Sequence, residues 1–299
     1  MVGRVVEIAT EGRHISIHRG FLVVGEDGKE MGRVAMDDIA AVVANAHGLT
    51  CTNNALIELS SRGVPVVLCG SNHMPAAIVW PVDAHHVQTG RMNDQIAASL
   101  PLKKRLWAQL VRAKILAQGA TLAGIGAPSG GFYLLSRKVR SGDPENVEAE
   151  AARRYWPLLF GKQFHRDTGG DGLNAMLNYG YAVLRAGIAR AVMAAGLHPG
   201  FGLMHSNRSN PMVLIDDLME PFRPIVDREV FHLAGRGINK IDPESKVELA
   251  RIMIVDLPTD AGMSPLLTCA ERLAQSLARV YAGEAETLDL PLPALPLER

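Results

Sequence analysis

Apolar and polar positions change their rhythm once along the chain. In the first part, apolar residues come in short β-branched runs at 4–9, 14–18, 21–25 and 39–44, bounded by Gly or acidic turns. His14-Ile15-Ser16-Ile17-His18 alternates with the period of two expected of a half-buried strand. Glu26-Asp27-Gly28-Lys29 reads as a hairpin turn. Residues 52–62 read as a short helix, with Ala55, Leu56 and Leu59 on one face and Gly63 just past its end. Strand character returns at 64–69 and 76–80. Beyond a polar joint that holds Asp83, Ala84, His85, His86, Gly90 and Arg91, helical periodicity takes over at 96–118, 173–195, 247–255 and 266–281. The pattern predicts an α+β fold: a small β-rich domain over 1–84, then a larger, mostly α-helical domain over 85–299. The tail after Gly283 is acidic and rich in Pro and Leu (Pro291, Pro293, Pro296) and is expected to be loosely ordered or to dock on a partner. No internal repeat is present.

Composition narrows the class. With 47% hydrophobic and 21% charged residues the chain is an ordinary globular one. Its longest apolar runs fall far short of the ~20 residues of a spanning helix. Arg4, Glu7 and Glu11 interrupt any secretory core. Cys51, Cys69 and Cys269 are odd in number and widely separated, which suits reduced thiols. The expectation is a cytoplasmic protein with no membrane partner. The formal net charge is zero, but residues 101–166 hold 12 Lys/Arg against 4 Asp/Glu, and residues 241–299 hold 5 against 10. A localised basic segment in a neutral protein is the footprint of a polyanion-binding face, or simply a set of solvated helix faces.

Two segments carry candidate chemistry. Asp143 and Pro144 suit the start of a helix on which Glu148 shares a stripe with Ala152, Tyr155 and Leu159, while Glu150 sits beside Arg153 and Arg154 as a solvated pair. An inward carboxylate is costly unless it is paired or binds a cation, so Glu148 is either half of an ion pair or a ligand. Downstream, Asn210 and Pro211 open a short helix that Pro221 helps to end, placing Asp217 and Glu220 on one face near its C-terminus. Two carboxylates there oppose the helix dipole unless a cation neutralises them. His205 precedes them in a Gly/Ser/Asn loop. Carboxylates with an imidazole suit Mg²⁺ or Mn²⁺ better than a closed zinc site.

At these residues the chain resembles the CRISPR-associated spacer-acquisition integrases (the Cas-one endonuclease family), most closely their short forms from type II systems. Four stretches carry the resemblance: Glu148-Ala149-Glu150-Ala151-Ala152-Arg153-Arg154-Tyr155-Trp156, Leu177-Asn178-Tyr179-Gly180-Tyr181-Ala182-Val183-Leu184, Gly196-Leu197-His198-Pro199-Gly200-Phe201-Gly202-Leu203-Met204-His205, and Asp217-Leu218-Met219-Glu220-Pro221-Phe222-Arg223-Pro224-Ile225-Val226-Asp227. The family's usual glycine after the first acid is Ala149 here. The resemblance implies Mg²⁺ or Mn²⁺ held by Glu148, His205 and Glu220, with Asp217 as a supporting catalytic group. It implies metal-assisted joining of a DNA 3′-hydroxyl to a phosphodiester, which inserts double-stranded prespacer DNA at a repeat. It further implies a homodimer formed through the β-rich domain, a small partner dimer bridging two homodimers, and other type II adaptation and effector proteins as partners. Lys103, Lys104, Arg105, Arg112 and Lys114 on one helix, and Arg137, Lys138 and Arg140 beside a flexible Gly130-Gly131 turn, are then candidates for phosphate contacts. Tyr155 is a further DNA candidate, with core packing as its alternative. The competing readings are an unrelated metal-dependent phosphohydrolase and a non-catalytic DNA-binding scaffold.

Overall fold

The computed structural model describes residues 4–70, 75–81, 85–205 and 210–293. Strands β1 (Arg4–Ile8), β2 (His14–His18), β3 (Phe21–Glu26), β4 (Lys29–Ala35), β5 (Ile39–Ala44) and β6 (Thr50–Cys51) precede helix α1 (Asn53–Ser61); β7 (Val66–Cys69) and β8 (Pro75–Val79) follow it. They form two four-stranded sheets. One has the order β1-β5-β7-β8, parallel except for β8. In the other, β2, β3 and β4 make an antiparallel meander with β6 parallel to β2 at its edge. The meander turns at Arg19-Gly20 and Asp27-Gly28, all four residues at positive φ. That is the two-residue turn whose twist matches the strands, as expected at Asp27-Gly28.

Strand β5 is buried along its whole length. Its Ile39, Val42 and Ala44 pack with Ile15, Leu22, Val66 and Leu59 in a small β-rich core. Ala41 and Val43, on the opposite face, join Val5 and Val67 in the large helical core. The first sheet is therefore shared between the two. Polar ties reinforce the junction: Tyr179 donates to Glu7 at 2.7 Å, Asn45 donates to Glu7 at 2.8 Å, and Arg190 donates to the Ile39 carbonyl at 2.8 Å.

The remainder is helical: α2 (Gln88–Ala97), α3 (Leu100–Gly124), α4 (Gly130–Lys138), α5 (Val147–Phe160), α6 (Leu173–Ala194), α7 (Val213–Met219), α8 (Arg223–Gly235) and α9 (Pro243–Ala250). A hairpin of β9 (Asp256–Thr259) and β10 (Gly262–Pro265) leads into α10 (Leu266–Tyr281). The α+β class thus holds, with corrections inside it. The single helix expected over 96–118 is two, because Ser99 caps a new helix at Leu102 and Pro101 fits only a first turn. The turn expected at Gly130-Gly131 is the start of α4, which is held by burial of Phe132 and Leu135. The acidic tail docks on its own chain instead of lying loose: Leu288 donates to Gln109 of α3 and Leu292 to the Pro258 carbonyl, both at 2.9 Å. Asp83 and Ala84 of the expected joint, Ser206–Ser209 of the His205 loop, and Pro296 lie outside the described residues. Among the described residues no helix is long and apolar enough to cross a membrane.

Candidate active site

Four segments of the helical part converge on one another. Helix α5 begins at Val147 with Asn146 as its cap, three residues later than the sequence suggests. Asp143 nevertheless serves the same end, its carboxylate accepting from Val147 N at 2.9 Å and Glu148 N at 3.0 Å. Glu148 therefore sits in the first turn, where the positive end of the helix dipole favours a carboxylate. The inward stripe forms as expected, with Tyr155 fully buried and Leu159 nearly so. Glu150 pairs with Arg154 on the exposed side.

Helix α7 stops at Met219, two residues before Pro221, as expected. A 3₁₀ turn, Glu220–Phe222, runs directly into α8, so Glu220 stands at the corner and is buried. One of its oxygens takes a hydrogen bond from Arg223 Nε at 2.7 Å. The other lies 2.5 Å from Lys114 Nζ. The same Nζ donates to Glu148 at 2.6 Å. Burial alone would raise the Glu220 pKa, but Arg223 and Lys114 outweigh it and hold the group at about 2. For Lys114, burial opposes the charge, yet Glu220 and Glu148 keep its pKa above the ordinary lysine value. The two acids, 72 positions apart, thus share one cationic atom.

His205 reaches the same region from the loop before α7. Asp217 is fully buried and organises that loop. Its Oδ2 accepts from Leu203 N at 2.6 Å and Met204 N at 3.3 Å, and its Oδ1 is hydrogen-bonded to His205 Nδ1. That pairing raises the His205 pKa, with Glu220 and Glu148 adding to it. The Trp107 ring meets the imidazole edge-on, with centroids 5.1 Å apart. Close packing leaves no alternative to glycine at position 202, where a Cβ would fall 2.4 Å from Val213 Cγ1 and 2.8 Å from Asp217 Oδ2. The loop's other anchor is Gln95 of α2, also fully buried, which donates to the His198 and Phe201 carbonyls at 3.0 and 2.9 Å and accepts from His198 N at 2.8 Å.

The donor chemistry fits a hard divalent cation. Two carboxylates already converge on one positive charge, and a carboxylate-held imidazole with Nε2 left for another ligand stands in their field. Among the described residues, no three His, Cys, Asp or Glu side chains meet at metal-binding distance, since Lys114 fills the space between the acids.

Beneath the acids lies a buried polar set to which no sequence motif assigned a role. Tyr181 donates to Asp227, whose burial pushes its pKa up to about 7. The Arg223 guanidinium stacks on the Tyr181 ring at 4.8 Å. Two DNA candidates are corrected here. Tyr155 is fully enclosed and belongs to the core, beside Phe132 and Trp156. Lys114 belongs to the acid pair. Arg112 is exposed and donates to the Val139 carbonyl from Nη2 at 2.5 Å and Nε at 3.2 Å. Lys103 and Lys104 are half-buried, Arg105, Arg137 and Lys138 are exposed, and Arg140 pairs with Glu145. Lys114 did carry a signal: it continues the buried stripe of Trp107, Leu110, Val111 and Gln118 on α3, an odd place for a lysine without a partner.

An α+β chain thus brings two acids together at one cation beside a carboxylate-held histidine. Comparison with known proteins places it in a family. The profile of the family described as CRISPR associated protein Cas1 matches residues 6–253. The CRISPR-associated endonuclease Cas1 of Neisseria meningitidis serogroup C (strain 8013) is 34% identical over 292 residues, covering 96% of this chain and 95% of the relative. The chain therefore belongs to the Cas1 family. Among solved structures, a casposase bound to integration product matches with a TM-score of 0.82 at 20% identity, covering 99% of this chain and 95% of that one. A Cas6-RT-Cas1–Cas2 complex matches with a TM-score of 0.74 at 18% identity, over 98% of this chain and 36% of that one.

Proposed function

We propose that this protein is a divalent-metal-dependent DNA endonuclease and integrase that joins a DNA 3′-hydroxyl to a phosphodiester, inserting prespacer DNA into a CRISPR array. The observation that carries the reading is the meeting of Glu148 and Glu220 at one cation beside the Asp217-held His205. The curated relative is named an endonuclease, and one fold neighbour is a casposase bound to integration product. Both support the reading.

Glu148, Glu220 and His205 would hold Mg²⁺ or Mn²⁺. When bound, such an ion supplies Lewis acidity at a phosphoryl oxygen and stabilises the leaving oxygen of an in-line displacement. The chain supplies the rest. Asp217 fixes the imidazole tautomer and ring plane, because a carboxylate on Nδ1 commits Nε2 to the ligand. Asp143 locks the turn that presents Glu148. Arg223 neutralises part of the charge on Glu220 and holds one of its oxygens in place. Exposed Arg105, Arg137 and Lys138 suit positioning of the DNA backbone without reading bases.

Two-ended insertion needs two such sites at a fixed separation, which a two-fold homodimer provides. The β-rich unit of residues 1–84 holds none of the acids and is free to make that contact and to seat a small partner dimer. A fold neighbour that is a Cas1–Cas2 complex supports such a partner.

The test is strand joining of a prespacer into a repeat-bearing plasmid with Mg²⁺ or Mn²⁺. Glu148→Ala, His205→Ala and Glu220→Ala each lose the product while circular dichroism stays native. Glu150→Ala, whose partner is the exposed Arg154, stays close to wild type. Near-normal integration by Glu148→Ala and Glu220→Ala would show that the site is wrongly placed.

A further inference from the structure

We propose that the Lys114 ammonium is the resident counter-cation of the acid pair, and that a divalent ion loads only by displacing it. The inference rests on reading Glu148 and Glu220 as metal ligands and adds what that reading leaves out, namely what holds the two acids together before metal arrives.

Geometry makes the first part of the case. Nζ lies 2.6 Å from Glu148 Oε1 and 2.5 Å from Glu220 Oε2, so the space a shared metal needs is already filled. The Lys114 side chain is only 13% exposed and comes off the apolar stripe of α3, so it reaches the acids from the protein side. Both acids therefore depend on one ammonium, among the described residues the only cation that touches the two of them.

Charge makes the second part. Glu148 and Glu220 carry two negative charges, and Lys114 and Arg223 return two positive ones, so the quartet is neutral. A divalent ion added with all four in place would leave two uncompensated positive charges in a largely buried site, a strongly unfavourable state at low effective dielectric. Of the two cations Lys114 is the one able to leave. Arg223 is fixed by its Nε bond to Glu220 and by stacking on Tyr181, whereas lysine is a point charge on a four-carbon stem.

The experiment is a Mn²⁺ titration of the full-length, metal-stripped protein, followed by the electron paramagnetic resonance signal of free Mn²⁺, with melting temperatures in EDTA and in Mn²⁺. Lys114→Met is expected to bind Mn²⁺ about tenfold more tightly or better, because the competing charge is gone. It is also expected to melt below wild type in EDTA and to gain more from Mn²⁺ than wild type gains. Lys114→Arg, which keeps the charge, binds no more tightly than wild type. Should Lys114→Met fail to fold, Lys114→Gln, which keeps polar contact with the acids, carries the same expectation. Unchanged or weaker Mn²⁺ binding in the neutral variants overturns the proposal, provided that Glu148→Gln abolishes binding in an otherwise wild-type protein. If wild type has no Mn²⁺ site that Glu148→Gln removes, the metal reading of the acids falls, and this inference falls with it.

Discussion

Replacing Asp217 separates loop architecture from metal ligation more cleanly than replacing a ligand. The carboxylate is fully buried and serves three donors: Leu203 N at 2.6 Å, Met204 N at 3.3 Å, and the imidazole of His205. In Asp217→Ala the Leu203 amide stays buried with no acceptor, which costs about 1–3 kcal/mol. The Met204 amide and the half-exposed imidazole recover part of their loss from water and add about 1 kcal/mol between them. The sum is roughly 2–4 kcal/mol, and a chain of this size loses about 2–4 °C of melting temperature per kcal/mol, so a fall of about 4–16 °C is expected. Loss of the group that orients His205 should also weaken Mn²⁺ binding about 10- to 100-fold. Asp217→Asn is the informative companion. It keeps the shape, but whichever way the amide is turned, its NH₂ faces either the two backbone N–H groups or the imidazole. An Asn that accepts from both backbone N–H groups can donate to Nδ1, which places the ring proton on Nε2, so it recovers melting temperature but fails to rescue Mn²⁺ binding. The measurement is thermal unfolding in EDTA beside a Mn²⁺ titration. Melting of Asp217→Ala within about 1 °C of wild type, with unchanged Mn²⁺ affinity in both variants, would refute the role given to Asp217.

Two further outcomes follow from the same geometry. Asp227 has its pKa raised from about 4 to about 7 by burial, so its stabilising contribution is complete below pH 4 and is lost as pH rises through 7. Asp227→Asn, which still accepts from Tyr181, should flatten that loss: it unfolds at higher urea than wild type at pH 8 and matches it near pH 4, and parallel curves at every pH would contradict this. Binding of prespacer DNA should weaken steeply with salt, and Lys103→Glu, Lys104→Glu and Arg105→Glu combined should weaken it alike for all sequences in a filter-binding series. A loss confined to some sequences would mean that these side chains read bases.

Much of this was legible in the sequence, for identifiable reasons. Strands β2 and β5 and helix α10 have the bounds that the apolar pattern sets, because each presents a clear face to a core. The Asp27-Gly28 turn was readable because a two-residue hairpin demands positive φ. Glu148, His205, Asp217 and Glu220 stood out because acids on inward faces need a cation. What escaped notice depends on distant partners. Helix α4 starts at two glycines, poor helix formers, and is held by Phe132 and Leu135 packing where local propensity offers nothing. Gln95 makes its bonds more than 100 positions away. Lys114 was taken for a surface phosphate contact because composition reports charge and not which side of α3 carries it. The acidic tail was misjudged because its polar surface hid the row of backbone donors that fasten it to Gln109, Ser276 and Pro258.

The most direct test of the central claim is a crystal structure of the protein grown with Mn²⁺, with anomalous data collected at the manganese edge. The account predicts one strong peak bonded at about 2.1 Å to carboxylate oxygens of Glu148 and Glu220 and to a nitrogen of His205. Asp217 remains on Nδ1 of that histidine, and the Lys114 ammonium is moved out from between the acids. No peak there at saturating Mn²⁺, with Lys114 still bridging Glu148 and Glu220, would contradict it.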